Sequence, residues 1–256
     1  NSVGVTSFTR APGDAGAIQE GVKWGGAYGT GVTLTFSFPG DNASHIGGYS
    51  EFNSLYALTA PEKTAVRSAL AEWASVANIK FVEVGDTKLE VGDLRFGVTD
   101  AVGKKAAAYA YLPADDPAAG DVWFGNGGWH ENPSSPIKEG SYDYLVALHE
   151  IGHAIGLKHP FEGPQKISNA HDNFAYTIMS YTSFAGEDDN YATFYPTTPM
   201  YYDLVNIQGM YGRGVHNPGD TVYVYNNGEK YWQTIDDSGG IDTIVHVGKD
   251  KAVINL

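Results

Sequence analysis

The sequence predicts an α+β fold, in which a twisted mixed sheet carries two long helices and a short all-β segment follows. Three observations point there. Apolar residues alternate with small polar ones in runs such as Val32-Thr33-Leu34-Thr35-Phe36, the period of a half-buried strand. Two stretches, at 59–77 and 141–155, combine a helix-start residue with an apolar stripe at helical spacing. Strand-like runs at 79–84, 94–98 and 108–111 follow one another with no long helix between them, which argues against a regular βαβ series.

The elements follow in order. Residues 1–31 are glycine-rich, and AGAIQEGVKW has room for a short helix. Val32, Leu34, Phe36 and Phe38 form the first clear strand, which Pro39-Gly40 ends. Thr59 is the expected N-cap of the next helix, with Glu62 as capping-box partner and Val66, Leu70, Trp73 and Ala77 on one face. Residues 113–141 hold many Pro, Gly, Asp and Asn and read as loop, with a short strand at 121–124. Ser141 then offers an N-cap, Asp143 suits the positive helix end, and Leu145, Leu148, Ile151 and Ile155 supply the buried stripe. After an irregular 160–197, a last helix is expected from Thr198-Pro199 to Tyr211-Gly212. From Arg213 the texture changes to short runs, TVYVYN and DTIVHV, separated by turn residues. A boundary near 212 therefore divides the chain into 1–212 and 213–256.

Composition narrows the chemistry. Thirty acidic residues against sixteen basic ones give a net charge of −14, which repels phosphate backbones and anionic membranes, so neither nucleic acid nor membrane is an expected partner. No apolar run approaches a membrane span, and no basic-then-apolar leader opens the chain, as expected of a mature or trimmed protein. Without cysteine, any metal must be held by His, Asp, Glu, Tyr or backbone oxygen. No long amphipathic seam suggests self-association, so a monomer is expected.

The chain's eight histidines are unevenly spread, and three fall in LHEIGHAIGLKHP at 148–160. His149 and His153, four apart on a helix, share a face and can present two imidazoles to one ion. Glu150 lies beside them and suits a base acting on metal-bound water better than a ligand. Gly156 can take the left-handed conformation that ends a helix, letting His159 return as a third ligand. Three nitrogens with an open position describe a catalytic zinc site better than a closed structural one. The bland alternative is a pair of packing histidines, but the full five-residue pattern arises by chance on the order of once in ten thousand such chains. His45, His130, His171, His216 and His246 fit no ligand spacing, and each is expected to be a loop or surface residue, with Trp129 and His130 near the cleft rim.

HEIGHAIGLKH matches the HExxHxxGxxH signature of the metzincin metallopeptidases at every fixed position. Tyr176-Thr177-Ile178-Met179-Ser180-Tyr181 looks like their methionine turn. Pro160, the Met-Ser-Tyr form of that turn and TPMYYDLVNIQGMYG resemble the serralysins, secreted bacterial zinc proteases with calcium-binding β-roll tails, over roughly residues 20–256. The resemblance implies a zincin-like catalytic domain with zinc in its cleft, held by His149, His153 and His159. It implies a secreted, extracellular endopeptidase of broad specificity, acting through zinc-activated water with Glu150 as general base. Tyr181 would approach the zinc as an additional ligand at rest and turn to the oxyanion during turnover. Met179 would be the apolar floor under the ligands. An extended substrate would lie against Ala108-Tyr109-Ala110-Tyr111. Protein or peptide substrates are the implied partners, with room for a proteinaceous inhibitor.

In the tail, Asn217-Pro218-Gly219-Asp220-Thr221 and Asp237-Ser238-Gly239-Gly240-Ile241-Asp242 resemble the start of the serralysin β-roll. By that match one calcium ion takes backbone oxygens of Asn217, Gly219, Thr221 and Gly239 with the carboxylates of Asp237 and Asp242, an oxygen set apt for calcium. Asn217 and Pro218 are not the family's usual residues there. The chain also reaches Ile254-Asn255-Leu256 before any complete GGxGxDxUx repeat, as in a trimmed or shortened tail. The rival reading is a catalytically inactive, calcium-stabilised binding module that kept the metzincin fold. Glu150, retained beside the ligands, favours the enzyme.

Overall fold

The N-terminal stretch with room for a helix forms a strand instead. In the computed structural model, which describes residues 2–44, 49–187 and 189–251, β1 (Val5–Ser7) pairs antiparallel with β2 (Val22–Trp24), and only a single 3-10 turn, Gly13–Gly16, precedes it. Gly21 (φ +98°) and Gly25 (φ +76°) take conformations that no α-helix contains. Between them Trp24 is fully buried, and its indole N–H donates to the Ala154 carbonyl at 2.8 Å.

The main sheet takes its shape from β3 (Val32–Ser37), β4 (Leu55–Tyr56), β5 (Ile79–Glu83), β6 (Leu94–Thr99), β7 (Ala108–Ala110) and β8 (Val122–Gly125). Its order is β5-β3-β6-β8-β7, with β4 pairing antiparallel to β6. β3, β5, β6 and β8 run parallel, and β7 lies antiparallel on the edge. The sheet is thus mixed, as expected. β6 is buried along its whole length, and β3 buries Leu34 and Phe36.

Among the described residues, three α-helices complete the body. α1 (Ala60–Val76) starts at the expected cap, where the Thr59 N–H donates to Glu62 at 2.8 Å and the Thr59 hydroxyl donates to the Pro133 carbonyl. α2 (Tyr142–Ala154) begins at Ser141, whose hydroxyl accepts from the Tyr144 N–H at 3.2 Å. Leu145, Leu148 and Ile151 of α2 are buried, each contributing roughly 1.5–3 kcal/mol of apolar transfer. Trp73 of α1 donates to the Leu148 carbonyl at 3.0 Å and locks the two helices together. α3 (Tyr201–Tyr211) starts three residues later than Thr198-Pro199 suggested. Thr197 and Thr198 are engaged with the tail, bonded to Trp232 and Thr234, and the Asp203 carboxylate accepts the Met200 N–H at 2.8 Å to begin the helix there.

Beyond α3, β9 (Val222–Asn226) and β10 (Thr243–Val247) pair in parallel, Thr243 opposite Val222. Hydrogen bonds join this pair's flanking chain to the body, among them Gln208 to Asp236 at 3.0 Å and the Arg213–Asp236 ion pair at 2.7 Å.

Candidate active site

The helical period of α2 sets His149 and His153 on one face, and the chain then turns at Gly156, which has φ +107°. A side chain at 156 would meet the Met210 methyl and the Val22 carbonyl at 2.7 Å, so conformation and space both demand glycine. The turn brings His159 back. The three Nε2 atoms stand 3.1 Å (His149 to His153), 3.0 Å (His153 to His159) and 3.3 Å (His149 to His159) apart. Among the described residues, no other trio of His, Asp or Glu gathers ligand atoms this closely.

The opposite ring nitrogens explain why this arrangement could hold a metal ion and is not a hydrogen-bonded cluster. His149 Nδ1 donates to the Ile178 carbonyl at 2.7 Å, His153 Nδ1 to the Leu157 carbonyl at 2.8 Å, and His159 Nδ1 to Glu162 at 2.9 Å. With Nδ1 protonated in each ring, all three neutral Nε2 atoms present lone pairs to one another, and no proton is left between them. Burial first, then the neighbouring His159, pushes His149 down to about 3, and burial with the adjacent histidines holds His153 well below its ordinary value. A small cation satisfies all three. Tetrahedral nitrogens about 2.0–2.1 Å from zinc stand roughly 3.3–3.4 Å from each other, close to the spacing here.

Glu150 is buried, its Oε2 has no hydrogen-bond partner, and burial pushes its carboxyl up to about 8. A cation bound beside it would pull that value back down. Glu150 and Tyr181 line both recesses of one groove. The larger, about 420 Å³, has Leu145, Val146 and Phe174 among its walls. The smaller, about 210 Å³, is bordered by Ala110, His153 and His159. Tyr181 is 55% exposed and its ring lies 4.5 Å from that of His159. Burial, then the charge of Glu150, pushes its hydroxyl up to about 12.

Met179, expected as a floor under the histidines, is fully buried. A Cβ added to Gly152, inside the motif, would lie 2.6 Å from its sulfur. Asp203 also organises this turn: its carboxylate accepts from the Thr177 hydroxyl at 2.6 Å and the Ile178 N–H at 2.8 Å, fixing the residue whose carbonyl orients His149. Sequence reasoning missed Gly152, Asp203, Lys158 and Glu162. For Asp203 the signal was an acid three residues into a helix in an otherwise apolar run.

The strand expected to take substrate divides into residues that pair with the sheet and residues that face away from it. β7 is the sheet edge, and Ala107 and Tyr111 hydrogen-bond toward β8, at 2.7 Å to Gly125 and 2.9 Å to Asp121. By the two-residue period, Tyr109 faces β8 as well, so the backbone groups of Ala108 and Ala110 are those that point outward. The Tyr109 and Tyr111 hydroxyls are both committed to Glu51, at 2.7 and 2.6 Å.

His130 is not at the cleft rim: it is buried, with Glu62 at 3.1 Å on one nitrogen and Ser135 at 3.2 Å on the other, serving the start of α1. Trp129 is likewise buried, stacked on Phe124. His171 lies in a turn, as a loop residue should, and is half-buried with its Nδ1 meeting the Tyr202 hydroxyl at 2.9 Å. His45 lies outside the described residues.

In the tail, Asn217, Gly219 and Thr221 sit on one turn and Asp237, Gly239 and Asp242 on another facing it. The Thr221 N–H donates to Asp242 at 3.0 Å, and a Cβ on Gly240 would lie 2.5 Å from the Gly219 carbonyl carbon. Asp237 accepts from the Tyr223 hydroxyl at 2.6 Å and the Gly239 N–H at 3.0 Å.

Comparison with known proteins bears on this arrangement. The matrixin family profile matches residues 50–167. Serralysin A of Dickeya chrysanthemi is 33% identical over 225 residues, covering 84% of this chain and 46% of the relative. A serralysin of Photorhabdus luminescens is 31% identical over 206 residues, 76% of this chain and 40% of its own length. Serralysin C of Dickeya chrysanthemi is 32% identical over 282 aligned residues, 99% and 57% respectively. The chain spans about half the length of the curated relatives it matches.

Proposed function

The chain belongs with the serralysin-type metzincins, and from that premise we propose that it is a secreted zinc-dependent endopeptidase that cuts proteins with broad specificity. One observation carries the reading: three Nε2 lone pairs converge within 3.3 Å beside a buried carboxyl with an unpartnered oxygen, at the bottom of an open groove. A structural metal site has no need of that carboxyl.

His149, His153 and His159 would hold the zinc. The chemistry that a bound zinc supplies is Lewis acidity, which lowers the pKa of water and polarises a carbonyl. Substrate binds extended, its main chain pairing with the outward N–H and C=O groups of Ala108 and Ala110, an interaction indifferent to side chains that supports broad specificity. Glu150 takes the proton of the attacking water on its free oxygen and returns it to the leaving amine. With its pKa near 12, Tyr181 stays protonated at neutral pH and can donate to the oxyanion. Its exposed position beside His159 also suits the role of an additional zinc ligand at rest.

The facing tail turns support a calcium ion held by Asn217, Gly219, Thr221, Asp237, Gly239 and Asp242. Secretion is proposed with the family; among the described residues no helix is long and apolar enough to cross a membrane. Protein substrates, a proteinaceous inhibitor and a monomeric state remain part of the same proposal.

The test is casein hydrolysis by the chain as isolated, by the same chain after zinc chelation, and by Glu150→Ala. Hydrolysis only by the untreated protein is expected. Equal rates in all three would sink the proposal, and zinc bound with no hydrolysis by the untreated protein would favour the binding module.

A further inference from the structure

His159 is the ligand that helix geometry does not place. Lys158, just before it, is 3% exposed, yet its ammonium makes no ion pair among the described residues. Nζ donates instead to three backbone carbonyls: Glu162 at 2.7 Å, Gln165 at 3.1 Å and His159 at 3.3 Å. Three carbonyl dipoles aimed at one buried point repel each other unless a cation stands between them, and an ammonium offers three donors for three acceptors. The rest of the segment is stitched down as well. The Lys158 N–H donates to Ile18 at 2.7 Å, and Gln165 donates to Ala11 and Gly13 at 2.8 and 2.7 Å.

The shortest of the three bonds goes to Glu162, whose side chain in turn accepts from His159 Nδ1. A closed ring results: Lys158 holds the Glu162 backbone, Glu162 holds the His159 imidazole, and His159 is joined to Lys158 by a peptide bond. His149 and His153 have no need of it, because buried backbone carbonyls orient both.

We infer that Lys158 and Glu162 are positioning residues for the third metal ligand, Lys158 setting the path of residues 159–165 and Glu162 aiming the ring. The inference rests on the zinc reading above for the meaning of His159 Nε2, while the clamp itself is a property of the loop. The balance of charge makes it falsifiable, since a buried cation next to a metal ligand would otherwise weaken metal binding.

The experiment uses the full chain with Lys158→Met, which keeps the stem and removes charge and donors, and two readouts. Zinc affinity is measured by competition with a chromophoric chelator. Amide exchange of residues 159–167 is measured in zinc-free protein. Expected are an affinity about 10–100-fold weaker, the usual cost of removing a supporting group, and faster exchange at Glu162 and Ile167 with α2 unchanged. A lower melting temperature with unaltered zinc affinity and loop exchange would make Lys158 ordinary core and overturn the inference, as would tighter zinc binding. Lys158→Ala with propylammonium chloride provides chemical rescue. The amine should restore zinc affinity, or folding if the variant does not fold alone, where sodium chloride at equal ionic strength does not. No rescue by the amine overturns the role assigned to the ammonium. Glu162→Gln should weaken zinc binding about tenfold without moving the melting temperature, and unchanged affinity there removes Glu162 from the device. Zinc affinity and loop exchange are read without catalysis, so a chain that binds zinc but cuts nothing would sink the proposed function and leave this inference standing.

Discussion

The two candidate metal sites differ in what already holds their lone pairs. In the histidine trio each Nδ1 is spoken for and each Nε2 is left facing the others. In the tail, Asp237 and Asp242 accept hydrogen bonds from Tyr223, Gly239 and Thr221, on turns that water reaches. The first site is built before its ion arrives. The second satisfies itself, and an ion there must displace bonds that already exist. The bonds their lone pairs already accept, rather than the number of acidic residues, separate the two.

This contrast can be broken or sharpened by experiment. The largest effect is expected from Glu150→Ala, a casein-hydrolysis rate lower by about 10²–10⁴-fold, the usual contribution of a general base, with zinc content unchanged. Loss of zinc from that variant would mean that Glu150 belongs to the frame rather than to the chemistry.

Next is Asp203, which holds the frame under His149. Burial pushes its carboxyl up to about 7 against three donors that pull it down. A folded-state pKa above the unfolded one makes the contribution to stability complete below about pH 4 and lost as pH rises through 7, at roughly 1.4 kcal/mol per pH unit within that window. Both backbone donors use Oδ2 and only the Thr177 hydroxyl uses Oδ1, so an amide fits the same place. Asp203→Asn should therefore flatten urea-unfolding stability between pH 4 and 7. A slope unchanged from the parent would show that another group carries it.

For the tail, calcium at a hundredfold excess over its Kd should add about 2.7 kcal/mol to the stability of whatever unit binds it. Amide exchange in β9 and β10 should slow on adding calcium while that of α2 stays constant. Equal slowing in both would mean that the ion acts on the whole chain, and no slowing would leave the two turns as ordinary turns.

The smallest effect is expected at the floor. Gly152→Ala introduces a methyl 2.6 Å from the Met179 sulfur, a clash of about 1–3 kcal/mol partly offset by the roughly 1 kcal/mol that replacing a helical glycine gains. Its melting temperature should fall by a few degrees, and adding Met179→Ala should remove the penalty of the alanine. Additive losses in the double variant would separate the two residues.

Much of this was legible in the chain because it is local. His149, His153 and Gly156 are related by helical pitch and glycine's backbone freedom, and Thr59-Glu62 and Ser141 mark helix starts through bonds a few residues long. The late start of α3 was not legible, since Thr197 and Thr198 are taken up by Trp232 and Thr234, more than thirty residues on. Nor was the burial of His130, which depends on Glu62 across 68 residues.

The sequence by itself determined which three histidines can meet at one point and which carboxyl stands beside them, because spacing on one helix and one turn is a short-range property. Tertiary structure decided what supports them, beginning with the Ile178 carbonyl that aims His149. Ile178 fixed by Asp203, Met179 against Gly152, and the 158–165 loop tied to Ile18, Ala11 and Gly13 come from chain segments that meet only when the core closes. Hydrogen bonds and steric contacts act over a few ångströms of space, whatever their separation along the chain.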